Sequence, residues 1–514
     1  AELACAQGDY REALELADQS LSVGALNPKT LELKTALLRK LGRPSEAAQW
    51  ARHILTLDPL NQRARHEQGL ILAAQGSQQK SRQASREWIK AMRGEVSSYL
   101  ELAMDYANCG LFDEAIQVLD IYVDRAPDKG RVSPLAYYYL GFFHDALGQA
   151  EKARAGWKLA AQMPADYCFP FQHEAEPILR RAMERNPGDA RAPYYLGNLL
   201  FDNQPLKAIA AWEKAVQLDD RFALAQRNLG IARAQTQKDA SGATACLEKA
   251  MALDPKNPRL HYELDVLYEA GGAPLQKRLE NLTRHPEAVA QRDDATTRLI
   301  NLLTAAGRHD QALALLRERH FHNWEGSRDL HDFYVNACLY RGLSRLRAQQ
   351  PAEALRDFEA ALEYPPNQEV GKSRGEQRVA QIYYFIGMAQ AALGAKDKSE
   401  AAFQKVSSSG DRGPSEAQYF KALALQKTGR SDEAAQVFDG LVKRGLADLE
   451  QTSEAVDYFA KFGEKRVERL RLAEAHYLAG LGYLGLNRSD DAQAQFKQAL
   501  ELHPCHLGAL TWGK

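Results

Sequence analysis

Tyr137–Pro164 reads YYYLGFFHDALGQAEKARAGWKLAAQMP. Leu140 and Gly141 follow three tyrosines, Gly148 stands at a break, and Ala153, Trp157 and Ala160 come after it at helical spacing. Residues three and four apart share one face of a helix, so the second half carries a small-large-small face. The pattern predicts two antiparallel helices with a turn at Gly148. Pro164 lacks a backbone N–H and clashes with the preceding turn, so it ends the second helix. Helix axes pack about 8–10 Å apart, and the closest approaches need small side chains. Gly141, Ala153 and Ala160 supply them, and Leu140 and Trp157 fill the space alongside. A Leu at Gly141 should overpack this seam and cost about 1–3 kcal/mol.

The same order of residues recurs on both sides. It is read at Leu31–Pro59 (Gly42, Ala47, Ala51), Gly69–Met92 (Gly76, Ala84, Trp88, Ala91) and Tyr99–Pro127 (Ala103, Gly110, Ala115). The turn of the Gly69 repeat is expected to be stretched by the polar run Ser77–Arg82. Further copies start at Tyr194 and Ala223, a degenerate one spans Leu260–Pro286, and another spans Thr296–Arg319. A long helix from about Leu330 pairs with Ala354, Phe358 and Ala361; then come Tyr383–Val406, Glu416–Leu441 and His476–Pro504. Ala447–Phe462 reads as an extra helix. A period of roughly 34 residues with this signature resembles the tetratricopeptide repeat. The resemblance implies an all-α fold, a right-handed superhelix of stacked helix-turn-helix units, about twelve of them with irregular insertions. One pair cannot bury its apolar face alone, so neighbours must stack. Breaks in the rhythm suggest three blocks, residues 1–164, 165–319 and 320–514. Residues 1–28 lack most of a first helix, and an exposed half-repeat is a poor cap, so a preceding segment is expected.

Composition bounds the partners. Charged residues make up 26% of the 514 and the net charge is −1 at pH 7, so bulk electrostatics favours neither nucleic acid nor an anionic membrane. No apolar run approaches the ~18 residues of a membrane span. The six cysteines are scattered without a Cys-x-x-Cys pair. That fits reduced, buried thiols, and with no signal peptide visible it leans toward the cytoplasm. No Ser/His/Asp, HExxH or GxSxG signature appears, so no catalytic role and no cofactor are expected. Gly480-Leu481-Gly482-Tyr483-Leu484-Gly485 spells the dinucleotide fingerprint but falls on a first helix, where that motif needs a preceding strand.

Two candidate binding features remain. In the tetratricopeptide architecture the first helices line the concave face, and the fifth repeat position looks into the groove. Here it is Tyr138, Tyr194, Tyr262, Tyr384, Tyr419 and Tyr477. Tyrosine offers area and a polar tip at low entropy cost, which suits a peptide or glycan, although it also serves as ordinary scaffold. The second feature is three irregular connectors: Asp166–Phe171, His320–Gly326 and Tyr364–Glu376. Repeat-to-repeat links share one edge, so these lie on one rim, with the last two as neighbours. Long ordered connectors are often functional. The middle one carries His320, His322, Trp324 and Glu325. Imidazole with carboxylate could ligate a metal, but the spacing matches no firm motif. Docking of another domain, or Trp324 acting as a structural plug, are the readings kept for it, and no metal is assigned.

A narrower resemblance rests on Tyr167-Cys168-Phe169-Pro170, Tyr194-Tyr195-Leu196-Gly197-Asn198, His320 to Gly326, Glu363-Tyr364-Pro365-Pro366-Asn367 with Val370-Gly371, and Tyr477 to Gly485. These look like the C-terminal repeat half of large bacterial proteins. That resemblance implies an upstream, uncharacterised, mostly β domain similar to galactose-mutarotase-like sandwiches. Asn198, within one of these stretches, is a further binding candidate. The expected function is a non-catalytic interaction scaffold, for a protein or an adjoining domain of the same polypeptide. The alternative is the accessory half of a larger carbohydrate-active enzyme with its chemistry upstream.

Overall fold

The computed structural model describes residues 1–322, 329–371, 378–408, 415–450 and 468–513. Among these residues the regular elements are helices, with no strand. The chain packs as two compact units, Ala1–Ala232 and Arg233–Lys514.

The first unit opens with the short helix Glu2–Ala6 and then Tyr10–Val23. Four pairs follow: Pro28–Lys40 with Pro44–Leu57, Gln62–Ala74 with Gln78–Met92, Val96–Ala107 with Phe112–Arg125, and Pro134–Ala146 with Ala150–Gln162. Helix Ala175–Arg185 stands without a first helix of its own and packs on Pro134–Ala146 and Arg191–Leu200. The unit ends with Arg191–Leu200, Pro205–Leu218 and Ala223–Ala232. The polar run Ser77–Arg82 does not stretch a turn. The helix starts at Gln78, whose neighbours face solvent, while the Ser81 hydroxyl donates to the Gly69 carbonyl at 2.9 Å. A polar run on an outer helix face looks like a loop in sequence.

The second unit begins with a π turn at Arg233–Gln237 and helix Ala240–Leu253. The degenerate repeat consists of Pro258–Ala270, Leu275–Thr283 and the short Pro286–Val289. Pairs Asp293–Ala305 with His309–Glu318, Asp329–Arg347 with Pro351–Ala360, Val379–Ala392 with Lys396–Ser407, Glu416–Lys427 with Ser431–Glu450, and Glu468–Gly485 with Ser489–Leu502 complete it. Leu507–Trp512 comes last and packs on Ser489–Leu502 and Asp293–Ala305. Of the expected extra helix, Ala447–Glu450 continue helix Ser431–Glu450, and the rest lies outside the described residues.

Local chemistry explains the ends. Asn27 and Asn257 accept backbone N–H bonds at helix starts, each followed by a proline whose missing N–H costs nothing there. Gly148 takes φ +71° just past its helix, the left-handed conformation that closes a helix end. Packing follows the expected seam. A Cβ on Gly141 would stand 2.4 Å from Trp157 Nε1, and the same holds for Gly197 with Trp212. Gly342, Gly387 and Gly480 meet Phe358, Phe403 and Phe496 in the same way. In the degenerate repeat, Asp265 and Arg278 meet across the seam. The Arg278 guanidinium donates to both carboxylate oxygens of Asp265 at 2.9 and 2.8 Å, and both side chains are buried. Arg298 joins through Asp265 and Glu269. Buried charges are tolerated only when paired this way.

Candidate binding surfaces

Five of the six fifth-position tyrosines are buried and one is half-buried. Tyr138 donates its hydroxyl to Asp189 Oδ2 at 2.6 Å, and Tyr477 donates to Glu416 Oε1 at 2.7 Å. Burial first, and the facing carboxylate second, push both phenols well above their ordinary pKa, so both remain donors. Tyr194 packs its ring 4.7 Å from Phe222, and its carbonyl accepts from Trp212 Nε1. Asn198 Oδ1 accepts from the same Nε1 at 3.1 Å and from Asn228 Nδ2 at 2.9 Å, which ties three helices together. Burial pushes Tyr384 up to about 12 among the rings of Phe385, Phe403 and Phe420. Tyr419 and Tyr477 are covered by the end of their own unit: Trp512 lies 6.0 Å from Tyr419 and His506 4.5 Å from Tyr477. Tyr262 keeps part of its ring exposed, with the guanidinium groups of Arg292 and Arg298 about 6 Å from its centre.

Connector Asp166–Phe171 differs. Ala165, Cys168 and Pro170 are buried, while Tyr167, Phe169 and Phe171 are 94%, 68% and 65% exposed. Buried and exposed residues alternate from Tyr167 to Phe171 in a non-helical segment that opens with a turn at Asp166 and Tyr167. Burial raises the pKa of the Cys168 thiol to about 11. Tyr167 takes φ +57°, a costly conformation for an aromatic residue. In sequence the aromatics stand out as part of a connector and, for Tyr167 and Phe169, of the narrower resemblance, but not as a binding set. The signal that singles them out is the alternation itself.

The two connectors of the second unit are bonded together. Phe321 N–H donates to the Asn367 carbonyl at 2.8 Å, and Asn367 Nδ2 donates to the carbonyls of Leu316 and Arg319 at 2.8 and 2.6 Å. Phe321 is 1% exposed, in the core of this unit. His320 and His322 flank it on the outside, with ring centres 5.1 Å apart. His320 Nε2 lies 2.9 Å from Glu369 Oε1. Glu369 did not emerge as a candidate from the sequence, since it lies on the other connector. Trp324 and Glu325 lie outside the described residues.

The glycine-rich Gly480–Gly485 run lies on helix Glu468–Gly485. A Cβ on Gly482 would stand 2.7 Å from the Phe438 carbonyl, and one on Gly485 2.2 Å from the Phe438 ring. The glycines therefore serve close helix packing. No helix among the described residues is long and apolar enough to cross a membrane. Family signatures described as tetratricopeptide repeat match residues 1–61 and 340–414, and a second such signature matches 473–504. The chain carries tetratricopeptide repeats. Among solved structures, it is similar to YrrB, described as a TPR protein with an unusual peptide-binding site, at 23% identity and a TM-score of 0.29 over 43% of this chain and 97% of that one. PilW, described as a type IV pilus biogenesis factor, matches at 19% identity and 0.25 over 43% and 90%. Yeast Tom70 matches at 13% identity and 0.27 over 96% and 93%. These repeats supply a stack of rigid helix pairs from which the connectors project.

Proposed function

We propose that this chain is a non-catalytic scaffold that holds a protein partner, or an adjoining domain of its own polypeptide, at connector Asp166–Phe171. The observation that carries the reading is the exposure of Tyr167, Phe169 and Phe171, interleaved with the buried Cys168 and Pro170 that anchor the segment. Aromatic side chains bury 150–250 Å² each when covered, and such anchors dominate interface energetics. Clustered exposed aromatics mark interaction sites more often than singly scattered ones do. The buried tyrosines enter this reading as the packed wall that fixes helix positions. Tyr262 is the member with ring area to offer a ligand.

The test uses the full chain and a Tyr167→Ser/Phe169→Ser/Phe171→Ser variant as baits in extracts of the source cells. Partners retained by the parent and lost by the variant are then purified and titrated against both. The reading expects a loss of at least about 2 kcal/mol in binding, as for interface hot spots. Equal affinity of every such partner for both forms would remove the connector from the interface. A glycan retained by the parent alone would move the ligand class from protein to sugar.

A further inference from the structure

We propose that His320, His322 and Glu369 form a binding site for one divalent transition-metal ion of the zinc class, which staples the two connectors of the second unit. One ligand atom from each side chain lies within 4.8 Å of the others. In a tetrahedral site with bonds of 2.0–2.2 Å, ligand atoms stand about 3.3 Å apart. The His320 Nε2 to Glu369 Oε1 distance of 2.9 Å is already that short, so closure asks mainly for rotation of the exposed His322 ring. Two imidazoles and a carboxylate are a donor set suited to zinc, cobalt or nickel rather than to calcium or magnesium.

The backbone is arranged for this. Burial of Phe321 turns the residues on either side of it outward together. Asp293 fixes the second histidine by accepting the His322 backbone N–H at 3.0 Å, and its other oxygen takes Arg319 Nε at 2.8 Å. The Asn367 bonds hold the facing connector in register. Glu369 itself sits at φ +51° at the end of the turn Pro366–Gln368. Glycine or asparagine would adopt that conformation at less cost, yet the position carries a carboxylate aimed at His320. Three protein ligands leave a fourth position facing solvent, open to water or to a side chain from a partner.

The test takes the full chain after chelator treatment and titrates it with Co²⁺, then with Zn²⁺, by calorimetry and visible absorption. One equivalent of Co²⁺ with a d–d band of low-coordinate type is expected, displaced by Zn²⁺, together with a rise in melting temperature. Loss of a mere supporting residue around a metal costs 10–100-fold in affinity, so each ligand variant should lose at least about tenfold. The ligand variants are His320→Ala, His322→Ala and the near-isosteric Glu369→Gln; His53→Ala, an exposed histidine elsewhere, should bind as the parent does. All three sites are exposed, so metal-free melting should match the parent's. Absence of a saturable Co²⁺ equivalent in the parent chain, or an equivalent that survives in all three ligand variants, overturns the proposal.

Discussion

The connector Asp166–Phe171 of the first unit and the segment Arg319–His322 of the second use one construction for different ends. Each leaves the helical period for a short non-helical run in which buried and exposed residues alternate. Cys168 and Pro170 anchor the first; Phe321 anchors the second. What faces out is three aromatic rings in one case and two imidazoles in the other. Among the described residues no backbone N–H of the first connector bonds to a facing segment, and its exposed side chains suit a partner that covers them. The second is bonded to a facing connector, and its outward side chains converge with a carboxylate of that connector. The inward residue keeps the segment in place, and the outward residues determine what it recognises.

That division makes unequal predictions. Phe321→Ala should have the largest effect, since it empties a fully buried site in the core of the second unit. About 3–5 kcal/mol should be lost from that unit's unfolding, read by denaturant titration as a midpoint shift at constant slope. A loss under about 1 kcal/mol would mean that the segment is not anchored there. Asn367→Ala should come next. It leaves the Leu316 and Arg319 carbonyls without the amide that serves both, for about 1–3 kcal/mol. The same variant should weaken Co²⁺ binding, because it loosens the connector that carries Glu369. Binding unchanged to within a factor of two would detach the second connector from the site.

Much of this was legible in the chain. Gly141, Trp157 and Gly148 specified a helix pair, and the pairs packed with the glycine against the ring as expected. Two kinds of feature were not. The Asp265–Arg278 pair replaces an apolar seam with charges, and a buried ion pair has no hydrophobic period to read. The tyrosine positions were readable, but their exposure was not. Tyr138 is covered because Asp189, on a later turn of the chain, reaches its hydroxyl, and Tyr477 because His506 and Gly508 pack on it. Glu369 was hidden for a related reason. The sequence placed the two connectors side by side without saying which side chains would meet.

The first connector sharpens the comparison at smaller magnitude. Burial raises the Cys168 thiol to about 11, so the fold favours its neutral form. This contribution is fully present below pH 9 and is lost as pH rises toward 11, by at most about 1.4 kcal/mol per pH unit. Other buried thiols behave similarly, so the measurement is a difference: Cys168→Ala should show a shallower fall in stability over pH 9–11 than the parent. An equal slope would remove Cys168 as the anchor. Phe169→Ser should then have the least effect of all on stability, within about 0.5 kcal/mol, because a ring 68% exposed leaves little to lose on truncation. Measured alongside Phe321→Ala, it separates the two sides of the alternation directly. A Phe169→Ser protein that melts several degrees lower would show the outward ring to be structural, and the docking role would then pass to Tyr167 and Phe171 alone.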